Sequence, residues 1–428
     1  MGVLSRRAWR GAVVAGAVAA VAVLAGCGPL PLGDPVPDAS TELSAEAQTR
    51  MRDAVTAAMA KAQASGAIVG VWAPWAGNWV EGIGATEPGG STPPSVDATF
   101  RVGTAGASMT CAVLLRLVDE GRVGLDDPLD EYLTRQPGIE GITLRQLCQN
   151  NSGIADYVGP LRGTFIDNPT RLWPATELIA NGLVRSPLAP AGQAYSASST
   201  GYLLLGRALR AETSSEWDAL YRDQLFAPAG LSATSFPSAR ELELADGALS
   251  GYAYALDGGG APRCDVLETV PRLSNSMLEV AGGQVSTVTD LKRYLELLLD
   301  GALLSEESTA ELTATIPVAA DAPAWRSMGL GVMQLGPLYG TSGWIPGTLT
   351  SMYHDPASGL TIVVALNNSS AGTDFVEALA LQLASISAEL PAASGGTGGA
   401  AVAAMPWAEQ EQIDRMNAGA VCQPPPPA

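Results

Sequence analysis

Hydrolytic chemistry on protein side chains needs a nucleophile with a base beside it, or a metal ion held by several ligands. This chain is poor in bases. Its 428 residues contain two lysines, Lys61 and Lys292, and one histidine, His354. Thr289-Asp290-Leu291-Lys292 is formally a Thr-x-x-Lys, but it falls inside an amphipathic run, so Lys292 reads as a residue of a solvated helix face. Lys61 falls near the end of an earlier helix. His354 falls in the turn between two strand-like stretches and reads as a surface residue. That leaves no histidine for a Ser-His-Asp arrangement, and no G-x-S-x-G elbow occurs. The clearest acidic cluster, Asp126-Asp127 with Asp130-Glu131, reads as a surface loop rather than a metal centre. The residues predict no metal and no cofactor.

The elements that must position any site follow from periodicity. Ser44 can N-cap a helix running to about Ser65, with Gly66 as its stop. Its apolar positions Met51, Val55, Met59 and Ala62 recur at three and four, so one stripe faces a core. AIVGVWAP and NWVEGIGA, joined around Trp75-Ala76-Gly77, predict a β-hairpin. Residues 108–120 predict a strongly apolar, buried helix, and 125–275 mix short helices with Pro/Gly loops. Residues 281–301 predict a second amphipathic helix, started by Thr287 or Thr289 and stopped by Gly301. GLGVMQL, TLTSMYHD and LTIVVALNN are strand candidates, and DFVEALALQLASISAEL closes with a helix. The first and last parts are expected to share one antiparallel sheet with helices on its faces, around a mostly helical insert.

Composition narrows the class. The chain is 47% hydrophobic and 16% charged, enough for one large core or two smaller ones. Its formal charge of −19 sets nucleic-acid binding aside, because that needs a basic surface. Arg6, Arg7 and Arg10 precede an apolar run over residues 11–26 that is too short to span a bilayer comfortably. Leu24-Ala25-Gly26-Cys27 then resembles a bacterial lipobox, which implies cleavage before Cys27 and acylation there. Removing residues 1–26 takes three arginines and no acid, leaving a formal −22. Residues 27–43 read as a tether and 391–428 as a low-complexity linker with a short tail. The expected location is the extracytoplasmic side of the cell membrane. Four cysteines remain after Cys27, namely Cys111, Cys148, Cys264 and Cys422, and three disulfide pairings are open.

Seven phrases in order resemble the class C β-lactamase and serine DD-peptidase family. They are FRVG (100–103), LLRLVDEGRVGLDDPLDEYL (114–133), ITLRQLCQNNSGI (142–154), STGYLLLGRAL (199–209), LFAPAGLSATSF (225–236), AGGQVSTVTDLKRYL (281–295) and TSGWIPGTLTSMYHDPASGLTIVVALNN (341–368). The resemblance covers roughly residues 45–390 and implies an α/β (α+β) fold, with an antiparallel five-stranded sheet flanked by helices. The sheet part would comprise about 44–120 and 280–390, and the helical insert about 121–279.

The family's machinery is a Ser-x-x-Lys, a Tyr-x-Asn and a His/Lys-x-Gly. Aligned on FRVG, the nucleophile falls on Thr104 and the lysine on Ala107. Aligned on GYLLLG, the second motif falls on Ala197-Ser198-Ser199, and aligned on SGWIPG the third falls on Thr341-Ser342-Gly343. A hydroxyl and a glycine survive, whereas the base, the tyrosine, the asparagine and the cation do not. Tyr195 could stand in for the tyrosine only with a two-residue gap before Tyr202. The resemblance therefore implies a degenerate member: no catalytic residue is expected, and Thr104, Ala107, Ala197, Ser199, Thr341, Gly343 and Trp344 are expected to line a roomier, less polar pocket. The N–H groups of Thr104 and Trp344 would map onto the family's oxyanion donors. Helices from the regions of Cys111 and Cys148 pack together in this family, which favours Cys111–Cys148 and leaves Cys264–Cys422. The expected partners are the membrane through Cys27, a peptidoglycan or acyl ligand, and an envelope protein. A surviving hydrolase using Thr104, and a scaffold acting through its surface, are the alternatives.

Overall fold

The first and last strands of the sheet are neighbours. The computed structural model describes residues 41–393 and 404–423; the lipobox, Cys27 and most of the tether lie outside the described residues. β1 (Gly66–Ala73) turns through Trp75-Ala76 into β2 (Gly77–Gly84), in register Ala73↔Gly77 to Gly66↔Gly84. On its other side β1 pairs antiparallel with the last strand, so that Ala67 faces Leu366. With β3 (Leu338–Ile345), β4 (Thr348–His354) and β5 (Thr361–Leu366), the sheet runs β2-β1-β5-β4-β3. These five long strands are the expected antiparallel core. Three short ones, Met333–Leu335, Arg326–Met328 and Ile316–Pro317, extend it beyond β3 to eight.

Every residue of β1, β4 and β5 is buried. Successive side chains of a strand point to opposite faces, so both faces of the sheet are covered. On one face lie α1 (Ala45–Ala62) and, ahead of the C-terminal linker, a long helix (Thr373–Ala388); on the other lies a helix over Val288–Leu299. The pair Tyr353 and His354 makes the division visible: Tyr353 reaches Glu377 of the first group, while the next residue reaches Asp300 at the end of the other helix. Full burial of a Val or Ile such as Val363 or Ile362 contributes about 1.5–3 kcal/mol, so this doubly covered strand is a principal source of stability.

Local sequence sets the helix ends. Ser44 accepts the Ala47 N–H, as an N-cap does. The stop is Gln63 in the left-handed region, however, and Gly66 already begins β1. The helix predicted over 281–301 is shorter: Thr287 caps Val288–Leu299, and residues before it form 3-10 turns and a two-residue strand. GLGVMQL is strand only at Met333–Leu335, because Gly331 takes φ +75° and breaks extension. The long strand there is instead Leu338–Ile345, which carries Thr341-Ser342-Gly343, the positions aligned with the third family motif. The insert between residues 121 and 279 contains short helices as expected, and also a hairpin of Gly251–Leu256 with Pro262–Val270.

Two residues read as surface are core. Lys292 is 7% exposed and pairs with Glu296 at 2.8 Å, its ammonium lying 5.6 Å from the Trp72 ring centre. His354 is 1% exposed, bonding Thr361 Oγ1 through Nδ1 at 2.8 Å and Asp300 Oδ1 through Nε2 at 3.1 Å. Thr361 in turn donates to Glu296, so one polar chain runs from Lys292 to Asp300 beneath the sheet. The helix period is there, but the sheet covers the face that periodicity leaves to solvent. The acidic cluster does lie at the surface: exposed Asp126 pairs with Arg145, and half-buried Asp127 accepts from Gly124 N–H and the Tyr132 hydroxyl.

The tail is not loose. Glu409–Ala418 is a helix packed on Thr373–Ala388, with Trp407 and Met416 buried. Cys264 of the hairpin bonds Cys422, and Cys111 bonds Cys148. Among the described residues no helix is long and apolar enough to cross a membrane.

Candidate functional site

Thr104 sits in a single 3-10 turn, Gly103–Gly106, that leads into α2 (Ala107–Asp119). Two glycines bring this turn against β3. Gly103 has φ +63°, and a Cβ there would meet the Trp344 carbonyl carbon at 2.6 Å. A Cβ on Gly343 would meet the Ala105 nitrogen at 2.1 Å. Gly343 is therefore pressed against the turn and does not line the cavity. The contact places Thr104 Oγ1 3.0 Å from the backbone N–H of Trp344, from which it accepts a hydrogen bond. One of the two expected oxyanion donors thus serves the threonine itself.

Above this contact lies a cavity of about 420 Å³. Thr104, Ala107, Ala197, Ser199, Thr341 and Trp344 all border it, so residues aligned with the three family motifs converge. Ala197 comes from the loop before a helix over Ser199–Thr213, which Ser198 caps by accepting the Gly201 N–H. Asn150 holds that loop: its Oδ1 accepts the Ser198 N–H, its carbonyl accepts the Ser196 N–H, and its amide donates to the Tyr202 hydroxyl. Asn150 adopts φ +54°, a left-handed conformation that Asn tolerates better than most residues.

Several lining residues carry no motif signal. Tyr195 borders the cavity without a hydrogen bond to Thr104. Burial pushes its phenol above the ordinary tyrosine value, and nearby Arg326 pulls it back only in part. Burial also raises Tyr202 and Tyr353, so the cavity's phenols stay protonated at neutral pH. At one end, buried Glu377 accepts both guanidinium nitrogens of Arg326 at 2.6 and 3.1 Å, and that of Arg415 at 2.7 Å. Burial lowers the Arg326 pKa, but its Glu377 bonds raise it more, so it remains charged. Arg162, also on the wall, lies over Trp344. Asp156 spends its carboxylate on the Ser199 and Gly159 N–H groups.

The two lysines and the histidine lie elsewhere. Lys292 and His354 belong to the polar chain beneath the sheet, and Lys61 sits where α1 meets the tail, its carbonyl accepting the Val421 N–H. Thr104 Oγ1 has the Trp344 N–H as its hydrogen-bond partner among the described residues. In this bond the threonine hydroxyl is the acceptor, and among the described residues no side chain is hydrogen-bonded to it. Among the described residues no group of three or more His, Cys, Asp or Glu could hold a metal ion.

Comparison with known proteins places this geometry. The sequence model of the family described as Beta-lactamase matches residues 51–385. The D-alanyl-D-alanine-carboxypeptidase/endopeptidase AmpH of Escherichia coli (strain K12) is 26% identical over 287 residues, 62% of this chain and 68% of that protein. Penicillin-binding protein 4* of Bacillus subtilis (strain 168) is 25% identical over 307 residues, 67% of this chain and 64% of that protein. Among solved structures, a D-stereospecific amidohydrolase from Streptomyces sp. superposes with TM-score 0.66 at 25% identity, over 75% of this chain and 94% of that one. The octameric penicillin-binding protein homologue from Pyrococcus abyssi shares the fold, with TM-score 0.67 at 22% identity over 79% and 76% of the two chains.

Proposed function

This chain belongs to the β-lactamase family, and on that premise we propose that it is a non-catalytic member: an envelope lipoprotein whose cavity binds a cell-wall-derived or lipid-like ligand, or docks a partner protein. The observation that carries this reading is the environment of Thr104. Its hydroxyl accepts the Trp344 N–H at 3.0 Å, and alanines occupy the positions matched to the family's lysine and tyrosine. Catalytic groups act as a unit, so loss of the base alone costs orders of magnitude in rate. The cavity itself persists at about 420 Å³, within the range of small-molecule sites. The lipobox at Leu24-Ala25-Gly26-Cys27 supports anchoring to the outer side of the cell membrane.

Acylation tests the proposal. The protein is incubated with a fluorescent penicillin and with a fluorophosphonate, and its intact mass is read. The non-catalytic reading expects no adduct. An adduct mapped to Thr104 would instead establish a working nucleophile, in keeping with the carboxypeptidase and amidohydrolase names of its relatives. Thermal-shift screening with muropeptides and acyl ligands then separates a pocket binder from a surface scaffold. Ala107→Trp should abolish a pocket-dependent shift and spare binding to the outer surface.

A further inference from the structure

A second cavity, of about 570 Å³, opens in the helical insert and shares no lining residue with the one at Thr104. It lies between the start of the helix Ala175–Leu183, the helix Trp217–Tyr221, the loop over residues 236–241 and the segment 275–279. Its walls include Trp173 and Trp217, each 4% exposed, and the half-buried Phe236. Trp217 donates its indole N–H to the Gly206 carbonyl at 3.2 Å, which fixes the ring. Arg171 lies 3.7 Å from the centre of the Trp173 ring, so one of these indoles already holds a cation.

Glu279 stands in this wall without a partner. It opens the turn Glu279–Ala281, where its carbonyl accepts the Gly282 and Gly283 N–H groups. A Cβ on Gly282 would meet the Thr104 nitrogen at 2.7 Å, so the turn is wedged against Gly103–Gly106 and holds Glu279 in place. The carboxylate makes no ion pair and accepts no hydrogen bond among the described residues, and neither oxygen is sealed in protein. Arg210 borders the same cavity but is bound by Glu216, and Arg207 borders a neighbouring space and not this one. Burial pushes the Glu279 carboxyl up against the pull of both arginines, so they do not offset its desolvation. Exposed Asp218 and Glu241 add two further carboxylates that form no ion pair among the described residues. The lining is thus aromatic, with an excess of negative charge and one accessible, desolvated carboxylate, and a cation entering the cavity would supply what Glu279 lacks.

We propose that this cavity binds a small organic cation, an ammonium on an aromatic or alkyl body, with Glu279 as its counter-ion and the indoles of Trp173 and Trp217 as its walls. Such a site would stand independently of any ligand at Thr104, and its volume suits a molecule of that size. The experiment is a calorimetric titration of the purified chain at pH 7 with 2-phenylethylamine, which is then a cation, and separately with neutral 2-phenylethanol. The amine should bind about tenfold tighter or more, as expected for a charge-assisted contact. Glu279→Gln should remove that preference while leaving the alcohol's affinity unchanged, and Glu279→Asp should retain part of it. Ala175→Trp, which fills the cavity from its wall, should abolish binding of both.

Equal binding of the two probes, or a preference that survives Glu279→Gln, would overturn the proposal. So would failure of the amine to bind at millimolar concentration. If Ala107→Trp abolishes amine binding and Ala175→Trp does not, the amine sits in the Thr104 cavity and the second site falls. Circular dichroism and the melting temperature distinguish a lost contact from a lost fold: Glu279→Gln keeps the side-chain shape and should melt no lower than the parent at pH 7. Glu279→Asp, which keeps the charge, gives the same comparison should the glutamine variant fold poorly.

Discussion

Thr104 Oγ1 accepts the backbone N–H of Trp344 at 3.0 Å, and this one bond occupies a donor that a substrate carbonyl would otherwise use. Thr104→Ser alone should therefore gain no acylation, since the hydroxyl still lacks a base. The combined change Thr104→Ser, Ala107→Lys, Ala197→Tyr and Ser199→Asn places an amine and a phenol on the same cavity wall. It should yield a penicillin adduct visible by mass spectrometry. If the single change acylates as well as the quadruple one, the hydroxyl already has an acceptor and the non-catalytic reading fails.

The two disulfides should separate by accessibility. Cys111 and Cys148 are both fully buried, whereas Cys264 lies on an exposed strand of the hairpin. Mild reductant followed by alkylation should label Cys264 and Cys422 and spare the other pair. The tail should then become the first site of limited proteolysis. The buried bond closes a much shorter loop, at a sequence separation of 37 against 158. Loop-closure entropy nonetheless assigns it about 3–4 kcal/mol, so Cys111→Ala with Cys148→Ala should lower the denaturation midpoint clearly.

Glu377 couples the tail to the cavity wall. Its side chain is 5% exposed and lies between Arg326 and Arg415, while Trp407 of the tail packs on Trp325 with ring centres 5.2 Å apart. Breaking a buried ion pair by removing one partner is costly, because the other charge stays behind. Both arginines here keep partial solvent access, so Glu377→Gln should cost about 2 kcal/mol rather than the full buried-pair penalty. Arg415→Ala, at a more exposed partner, should cost about 1 kcal/mol. Urea denaturation of the two variants checks the order, and the reverse order would show that the tail, not the wall, depends on Glu377.

Glu279 should make stability depend on pH. It takes φ +47° and makes no ion pair among the described residues, and burial raises its pKa above the ordinary glutamate value against the pull of Arg210 and Arg207. The folded chain therefore holds this proton at pH values where the unfolded chain has released it. Below the ordinary value of about 4.3 both states are protonated and the site costs nothing. As pH rises through the folded value, stability is lost. Glu279→Gln should thus stabilise the protein at pH 7, and the gain should vanish below about pH 4. A gain independent of pH would point to packing rather than ionisation.

How far the sequence reaches depends on whether a residue's role is local. The Ser44 cap, the hairpin turn at Trp75-Ala76 and the apolar stripe of α1 rest on contacts a few residues away and were readable, while the start of the second helix was narrowed only to Thr287 or Thr289. The convergence of Thr104, Ala197 and Thr341 was readable through the family phrases that position them. Lys292 and His354 were misplaced because helix and strand periods say which face is apolar, not whether a second layer covers the other face. β3 was missed because LYGTSGWI is too polar and glycine-rich to look like a strand; its glycine is there for the Thr104 turn. Arg162 and Glu377 stand in no family phrase, and the phrase that holds Asn150 says nothing of its role, so only tertiary packing makes the three neighbours of the site.

The pairing of β1 with β5 has a consequence for how the chain assembles. Ala67 waits for Leu366, so nearly three hundred residues must be made before the central ladder can zip. Contacts this distant in sequence slow folding, since loop closure precedes any reward from pairing. Until then β1 and β2 form a two-stranded ribbon with an unfilled apolar edge, the form in which nascent chains are most prone to aggregate. Shortened products that stop before residue 361 should accumulate as insoluble material, even though they contain Thr104 and the whole insert.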